Sequence, residues 1–113
     1  MKEIILYQKR NGEIPVKIFL DDLEIKNPKL YSKTWLKIKL LIVDNLGNED
    51  IKYIGDKIYE LRLKQSSNIS RIFYFTIKNE KIVLLDGILK KTQKLDNSII
   101  ERVKKFKDDF LFK

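Results

Sequence analysis

The chain carries no histidine and no cysteine. Acid–base work must therefore fall to Lys, Arg, Asp, Glu, Tyr or backbone groups. Thiolate metal sites and disulfides are excluded. The residue types that remain for chemistry are mostly cations. Arg62 stands in an alternating stretch between Glu60 and Lys64, where it reads as a solvated charge on an edge strand. Arg71 has the parity of Phe73, Phe75 and Ile77. On a buried face it needs a partner or a ligand; at the strand's first residue it is simply exposed. Lys90-Lys91-Thr92-Gln93-Lys94 follows directly after an apolar strand. Either it is a basic loop before a helix, or it is a cluster that grips phosphate. Several cations beside one phosphodiester stabilise the charge that builds up on cleavage. A lysine among other cations, with its proton loosened, serves as a base.

Other chemistries find little support. Asp21-Asp22 and Asp108-Asp109 read as solvated helix-surface pairs rather than metal ligands. The four glycines do not cluster, so no glycine-rich phosphate loop is present. Neither a cofactor nor a metal is expected.

The net charge is +8. Residues 1–56 hold ten Lys/Arg against nine Asp/Glu, whereas residues 57–107 hold thirteen against five. A lysine-rich composition explains the total, but not its concentration in one half. That asymmetry is the footprint of a polyanion-binding surface. No stretch reads as a signal peptide, and the longest apolar run, Leu40 to Val43, is too short to span a bilayer. The expectation is a cytoplasmic protein with no membrane partner.

One domain over residues 1–113 has to position these side chains. Glu3 to Tyr7 reads as a strand. Pro15 opens a helix with Val16, Phe19, Leu20 and Leu23 on one face, and Asn27-Pro28 breaks it. A second helix is expected from Lys29 to Leu46, stopped by Gly47. A short strand is possible at Ile51 to Ile54. Strands follow at Lys57–Lys64, Ile69–Ile77 and Ile82–Lys90, joined by turns at Ser66-Ser67-Asn68 and at Lys78 to Lys81. Ser98-Ile99-Ile100-Glu101 is a capping box opening a helix with Ile99, Val103, Phe106 and Phe110 on one face. The expected class is α+β: two N-terminal helices packed on a small, mainly antiparallel sheet, with a C-terminal helix.

Taken in order, IYELRL, SRIFYF, IVLLDGILKKTQK and a lysine-rich amphipathic helix resemble the phage-derived, HigB-like branch of the RelE/HigB toxin superfamily. Pro15-Val16, opening a helix with Phe19, Leu20 and Leu23, is similar to the same branch. The resemblance implies a type II toxin that cuts mRNA on the ribosome, the RNA 2′-hydroxyl attacking its own phosphate without a metal. It implies a cognate antitoxin, of the helix-turn-helix HigA-like kind, as partner, alongside ribosome and mRNA. Carried over by position, Arg62, Arg71, Lys90 and Lys91 are the catalytic cations, with Lys57, Lys64 and Lys94 as RNA-binding residues. RelE stacks a tyrosine on a base soon after the basic pair. Residues 92–99 contain none, which leaves Phe110 or Phe112 for that task. The rival readings are a non-catalytic inhibitor of DNA gyrase like the ParE toxins, which share the fold, and a basic RNA-binding module. The KKTQ strand end and the two strand arginines favour the ribonuclease.

Overall fold

In the computed structural model, which describes residues 2–90 and 96–112, the chain runs β1 (Glu3–Leu6), α1 (Pro15–Lys26), α2 (Pro28–Ile42) and a one-turn 3-10 helix (Asn48–Asp50). It continues through β2 (Ile51–Gly55), β3 (Ile58–Gln65), β4 (Asn68–Ile77) and β5 (Lys81–Lys90) to α3 (Asn97–Leu111). The strands form one sheet in the order β1-β5-β4-β3-β2. β2 to β5 make an antiparallel meander, and β1 lies parallel to β5. This is the α+β arrangement expected from the sequence, and the short strand at Ile51 is present.

Strand periodicity of two gives the sheet two covered faces. On one, Val16 and Leu20 of α1 and Ile38 and Leu41 of α2 pack against Leu61, Ile72, Ile82 and Leu84. On the other, Ile99 and Val103 of α3 pack against Ile58, Phe73, Phe75, Val83 and Leu85. A bulge in β5 pairs Phe73 with Asp86 but Tyr74 with Leu84. The extra residue leaves Leu85 and Asp86 both toward α3 and turns Gly87 toward α1. There the Phe19 ring lies so close that a Cβ on Gly87 would come within 2.4 Å of its Cδ2. Gly87→Val is therefore expected to destabilise the fold by about 2–3 kcal/mol through overpacking. Phe19→Leu in the same chain should recover part of the loss. Urea midpoints of the three variants read this out; an unchanged midpoint for Gly87→Val would refute the contact.

Two helix expectations need correction. The second helix ends at Ile42 rather than Leu46. Asp44 takes a left-handed conformation, φ 55°. The Asp44 N–H then bonds Leu41 O at 3.2 Å and the Asn45 N–H bonds Leu40 O at 2.9 Å. This pair of bonds closes a helix, and Asp44 does what Gly47 was expected to do. The third helix begins at Asn97 with Asp96 at its N-cap, so Ser98 lies inside the helix instead of capping it. The expected face holds, with Ile99 and Val103 buried, Phe106 and Phe110 packed partly buried against the same cluster, and Lys107 buried as well. The Lys107 ammonium donates to the Asp56 carbonyl and sits 5.5 Å over the Phe75 ring. A side chain that the sequence assigns to solvent thus ties α3 to the β2–β3 turn.

Two phenols make stability sensitive to alkali. Tyr7 is 2% exposed and its hydroxyl donates to Asp109 Oδ2 at 2.7 Å. Burial first, and then Asp109, push its pKa up to about 12. Burial, with smaller effects from Tyr59 and Asp44, pushes Tyr74 up to about 12 as well. The fold keeps protons that the unfolded chain releases from about pH 10. This contribution is complete below pH 10 and is lost as pH rises through 12. Stability from urea titrations should fall across that window, and the slope should be shallower in Tyr7→Phe/Tyr74→Phe. An equal slope in that variant would assign the fall to other groups.

Candidate functional site

The two-residue turn at Ser66-Ser67 pairs Gln65 with Asn68 and so fixes the whole β3–β4 register. Arg62 falls directly opposite Arg71, Glu60 opposite Phe73 and Lys64 opposite Ile69. β5 extends these rows with Asp86 beside Phe73, Ile88 beside Arg71 and Lys90 beside Ile69. Residues paired across strands share a face. Arg62, Lys64, Arg71 and Lys90 therefore lie on one face, the one α3 covers, at the end of the sheet where α3 begins.

Glu60 organises this group. It is 0% exposed, and its Oε1 accepts from Arg62 Nε at 2.9 Å and from Arg71 Nη1 at 3.3 Å. Its Oε2 has no hydrogen-bond partner among the described residues. One carboxylate between two guanidinium groups leaves a local excess of one positive charge. The two arginines differ in access. The Arg62 side chain is 25% exposed, whereas Arg71 is fully buried. Burial, with a smaller effect from Arg62, pulls the Arg71 pKa below the usual arginine value, opposed by Glu60. Even so, a guanidinium keeps its proton at neutral pH.

These placements correct three expectations. Arg62 is not on the outermost strand, since β2 pairs with β3 as far as Leu61, but from Arg62 onward β3 has β4 alone beside it among the described residues. Arg71 does not begin its strand: β4 starts at Asn68 and lies between β3 and β5. Of the two alternatives for a charge there, the buried one with a partner holds, and Arg71 as it stands offers no surface to a phosphate. Nor is Lys57 part of the group. It sits in the β2–β3 turn with φ 60°, at the opposite end of β3 from Lys64, roughly 23 Å along the strand at the usual rise.

Lys64 is exposed, and Lys90 is half-buried with its ammonium 2.8 Å from Asp96 Oδ2, just before α3. Lys91 and Lys94, with Thr92 and Gln93 between them, lie outside the described residues. Neither aromatic considered for base stacking is near this group. Phe110 packs edge-on against Phe75, with centroids 5.8 Å apart. Phe112 is 81% exposed but follows the far end of α3, roughly 20 Å from its start.

A cavity of about 350 Å³ opens beside Arg62 and Lys64 and is walled on the other side by Lys37, Glu49 and Asp50. Sequence reading missed Lys37 and Glu60. Glu60 was legible in principle. Once the turn is set at residues 66 and 67, two arginines face each other, and the nearest residue able to compensate them is Glu60. Lys37 sits on an amphipathic helix among other lysines and carries no such signal.

Among the described residues no helix is long and apolar enough to cross a membrane, and no group of three His, Cys, Asp or Glu could hold a metal ion. No curated protein matches the chain. A family model does match, over residues 19–108, described as phage-derived protein Gp49-like (DUF891). The match runs from Phe19, within α1, through most of α3, and takes in Glu60, Arg62, Lys64, Arg71 and Lys90. The chain therefore belongs to the phage-derived Gp49-like family, a RelE/HigB-like family of the kind its strand motifs resemble.

Proposed function

We propose that residues 1–113 form one HigB-like toxin domain of a type II toxin–antitoxin pair, acting in the cytoplasm as a ribosome-dependent mRNA endoribonuclease. The observation that carries this reading is Arg62, held by a buried carboxylate at the mouth of a cavity and in line with Lys64 and Lys90. Such an array suits a phosphodiester. The RNA 2′-hydroxyl gives up its proton to water as its oxygen bonds to phosphorus, and the bond from phosphorus to the next nucleotide's 5′ oxygen breaks. That oxygen takes up a proton, leaving a 2′,3′-cyclic phosphate and a 5′-hydroxyl. Arg62 holds the non-bridging oxygens as charge grows on them. Lys64 and Lys90 hold the neighbouring phosphates, with Lys91 and Lys94 in the same service. Arg71 acts through Glu60 to position Arg62. The partner is a helix-turn-helix antitoxin whose acidic residues cover the cations, and that complex should weaken as salt rises.

Expression of the chain alone should arrest growth and produce new 5′ ends inside translated messages, mapped by primer extension. Growth arrest with intact mRNA and altered DNA supercoiling would instead support the ParE-like reading. Binding to RNA without new ends would support a basic RNA-binding module.

A further inference from the structure

The β2–β3 ladder ends where Ile51 pairs with Leu61. Before Ile51 the chain turns away into the 3-10 helix Asn48–Asp50. β3 runs on to Gln65, so its stretch 62–65 pairs with β4 on one side and meets no strand on the other among the described residues. In an antiparallel ladder alternate residues direct N–H and C=O to each side, so part of this stretch faces outward. The space there is the cavity of about 350 Å³.

Its walls carry charge of both signs. Arg62 and Lys64 come from β3, Lys37 from α2, and Glu49 and Asp50 from the 3-10 turn. Lys37 pairs with Asp50 Oδ1, and Asp50 Oδ2 accepts the Gly47 N–H at 3.1 Å. Asp50 is thus committed to holding the turn and the lysine. Its carboxyl stays below the usual aspartate range because of Lys37. Glu49 is exposed on the rim.

We infer that this cavity is a nucleotide subsite, taking the ribonucleotide beside the cleaved phosphate, with Arg62, Lys64 and Lys37 toward its phosphate and Glu49 accepting from an amino group on its base. The inference rests on the RNA-cleaving reading above. The volume lies within the range of small-ligand sites. With Asp50 committed to the turn and Lys37, a simple anion site still has no use for Glu49 on its rim. An acidic peptide would meet Glu49 and Asp50, and a basic one would meet Arg62 and Lys64. A nucleotide carries an anionic end and, in adenine, cytosine and guanine but not uracil, an amino donor, which carboxylates read by accepting from it. It also supplies a route to base discrimination that needs no stacked tyrosine.

The test is a titration of the isotopically labelled full chain with AMP, CMP, UMP and inorganic phosphate, followed by amide chemical shifts. AMP and CMP should move Lys37, Glu49, Asp50, Lys64 and Ile69 saturably and bind at least threefold more tightly than UMP or phosphate. Glu49→Ala, which leaves no side-chain acceptor at that position on the rim, should remove that preference. Lys37→Gln/Asp50→Asn, two neutral side chains able to hydrogen-bond each other, should weaken AMP binding at least fivefold with the shift pattern of the fold intact. Silence at these amides, equal response to phosphate and nucleotides, or equal affinity for UMP and AMP would overturn the inference. Cleavage of mRNA in cells by a chain whose cavity ignores nucleotides would sink the subsite alone. An occupied cavity in a chain that leaves mRNA intact would sink the ribonuclease reading alone.

Discussion

Glu60→Gln is expected to cost the protein about 3–5 kcal/mol and to abolish cleavage with it. The cause is Arg71, which is 0% exposed and ion-paired to Glu60 Oε1. Removing one partner of a buried pair strands the other charge in a medium that solvates it poorly. Against a total stability of about 5–15 kcal/mol, that loss leaves many chains of this size partly unfolded. Activity lost through unfolding says nothing about positioning, so the informative variant is Glu60→Leu/Arg71→Met. It removes both buried charges and replaces them with apolar side chains of similar length. Such replacements are often neutral or stabilising, so urea unfolding should give a stability close to wild type. Arg62 then keeps its charge but loses the carboxylate 2.9 Å from its Nε. Single-turnover cleavage of ribosome-bound mRNA should fall roughly a hundredfold, while RNA affinity, spread over many lysines, changes little. A folded double variant that cleaves at the wild-type rate would show that Glu60 and Arg71 serve the fold alone.

Much of this arrangement was legible in the sequence where a local pattern decides it. Pro15 followed by Val16, Leu20 and Leu23 at helical spacing gave α1, and those three residues are buried. The apolar run of β4 marked an interior strand, and the turn expected at Ser66-Ser67-Asn68 falls at Ser66-Ser67, with Asn68 already paired to Gln65. What local pattern could not show is which polar positions a distant element covers. Glu60 alternates with Tyr59 and Leu61 and so reads as solvated; its face is covered by a helix that begins at Asn97. Lys107 reads as surface for the same reason, and its carbonyl partner at Asp56 lies 51 residues away. The missed end of α2 has a different origin. Glycine is the ordinary residue for a left-handed helix stop, and Asp44 reaches that conformation less often. Arg71 stood between two readings because the first residues of a strand and its interior carry the same alternation; β4 begins at Asn68, and pairing on both sides puts Arg71 in the interior.

The sharpest test of the site itself is Arg62→Lys. The change keeps one positive charge at a position where the side chain is 25% exposed, so the fold should tolerate it within about 1 kcal/mol. What it removes is geometry. Arginine meets Glu60 through Nε, and its planar group can present paired N–H donors to phosphate oxygens while that contact holds. Lysine has one ammonium. If it turns to Glu60 it is withdrawn from the cavity, and if it enters the cavity it abandons Glu60. Either way the contact to the developing charge is lost or misplaced. A contact of this type is worth about 3 kcal/mol, or roughly a hundredfold in rate. Single-turnover cleavage should fall by that factor, with ribosome binding and its salt dependence nearly unchanged, since neither the number of cations nor their sign has altered. Arg62→Ala would be less decisive, because it also leaves Glu60 with Arg71 alone and opens the cavity wall. If Arg62→Lys cleaves at the wild-type rate, the guanidinium geometry is irrelevant to the chemistry, and the phosphate must be held by Lys64 and Lys90 across the end of the sheet.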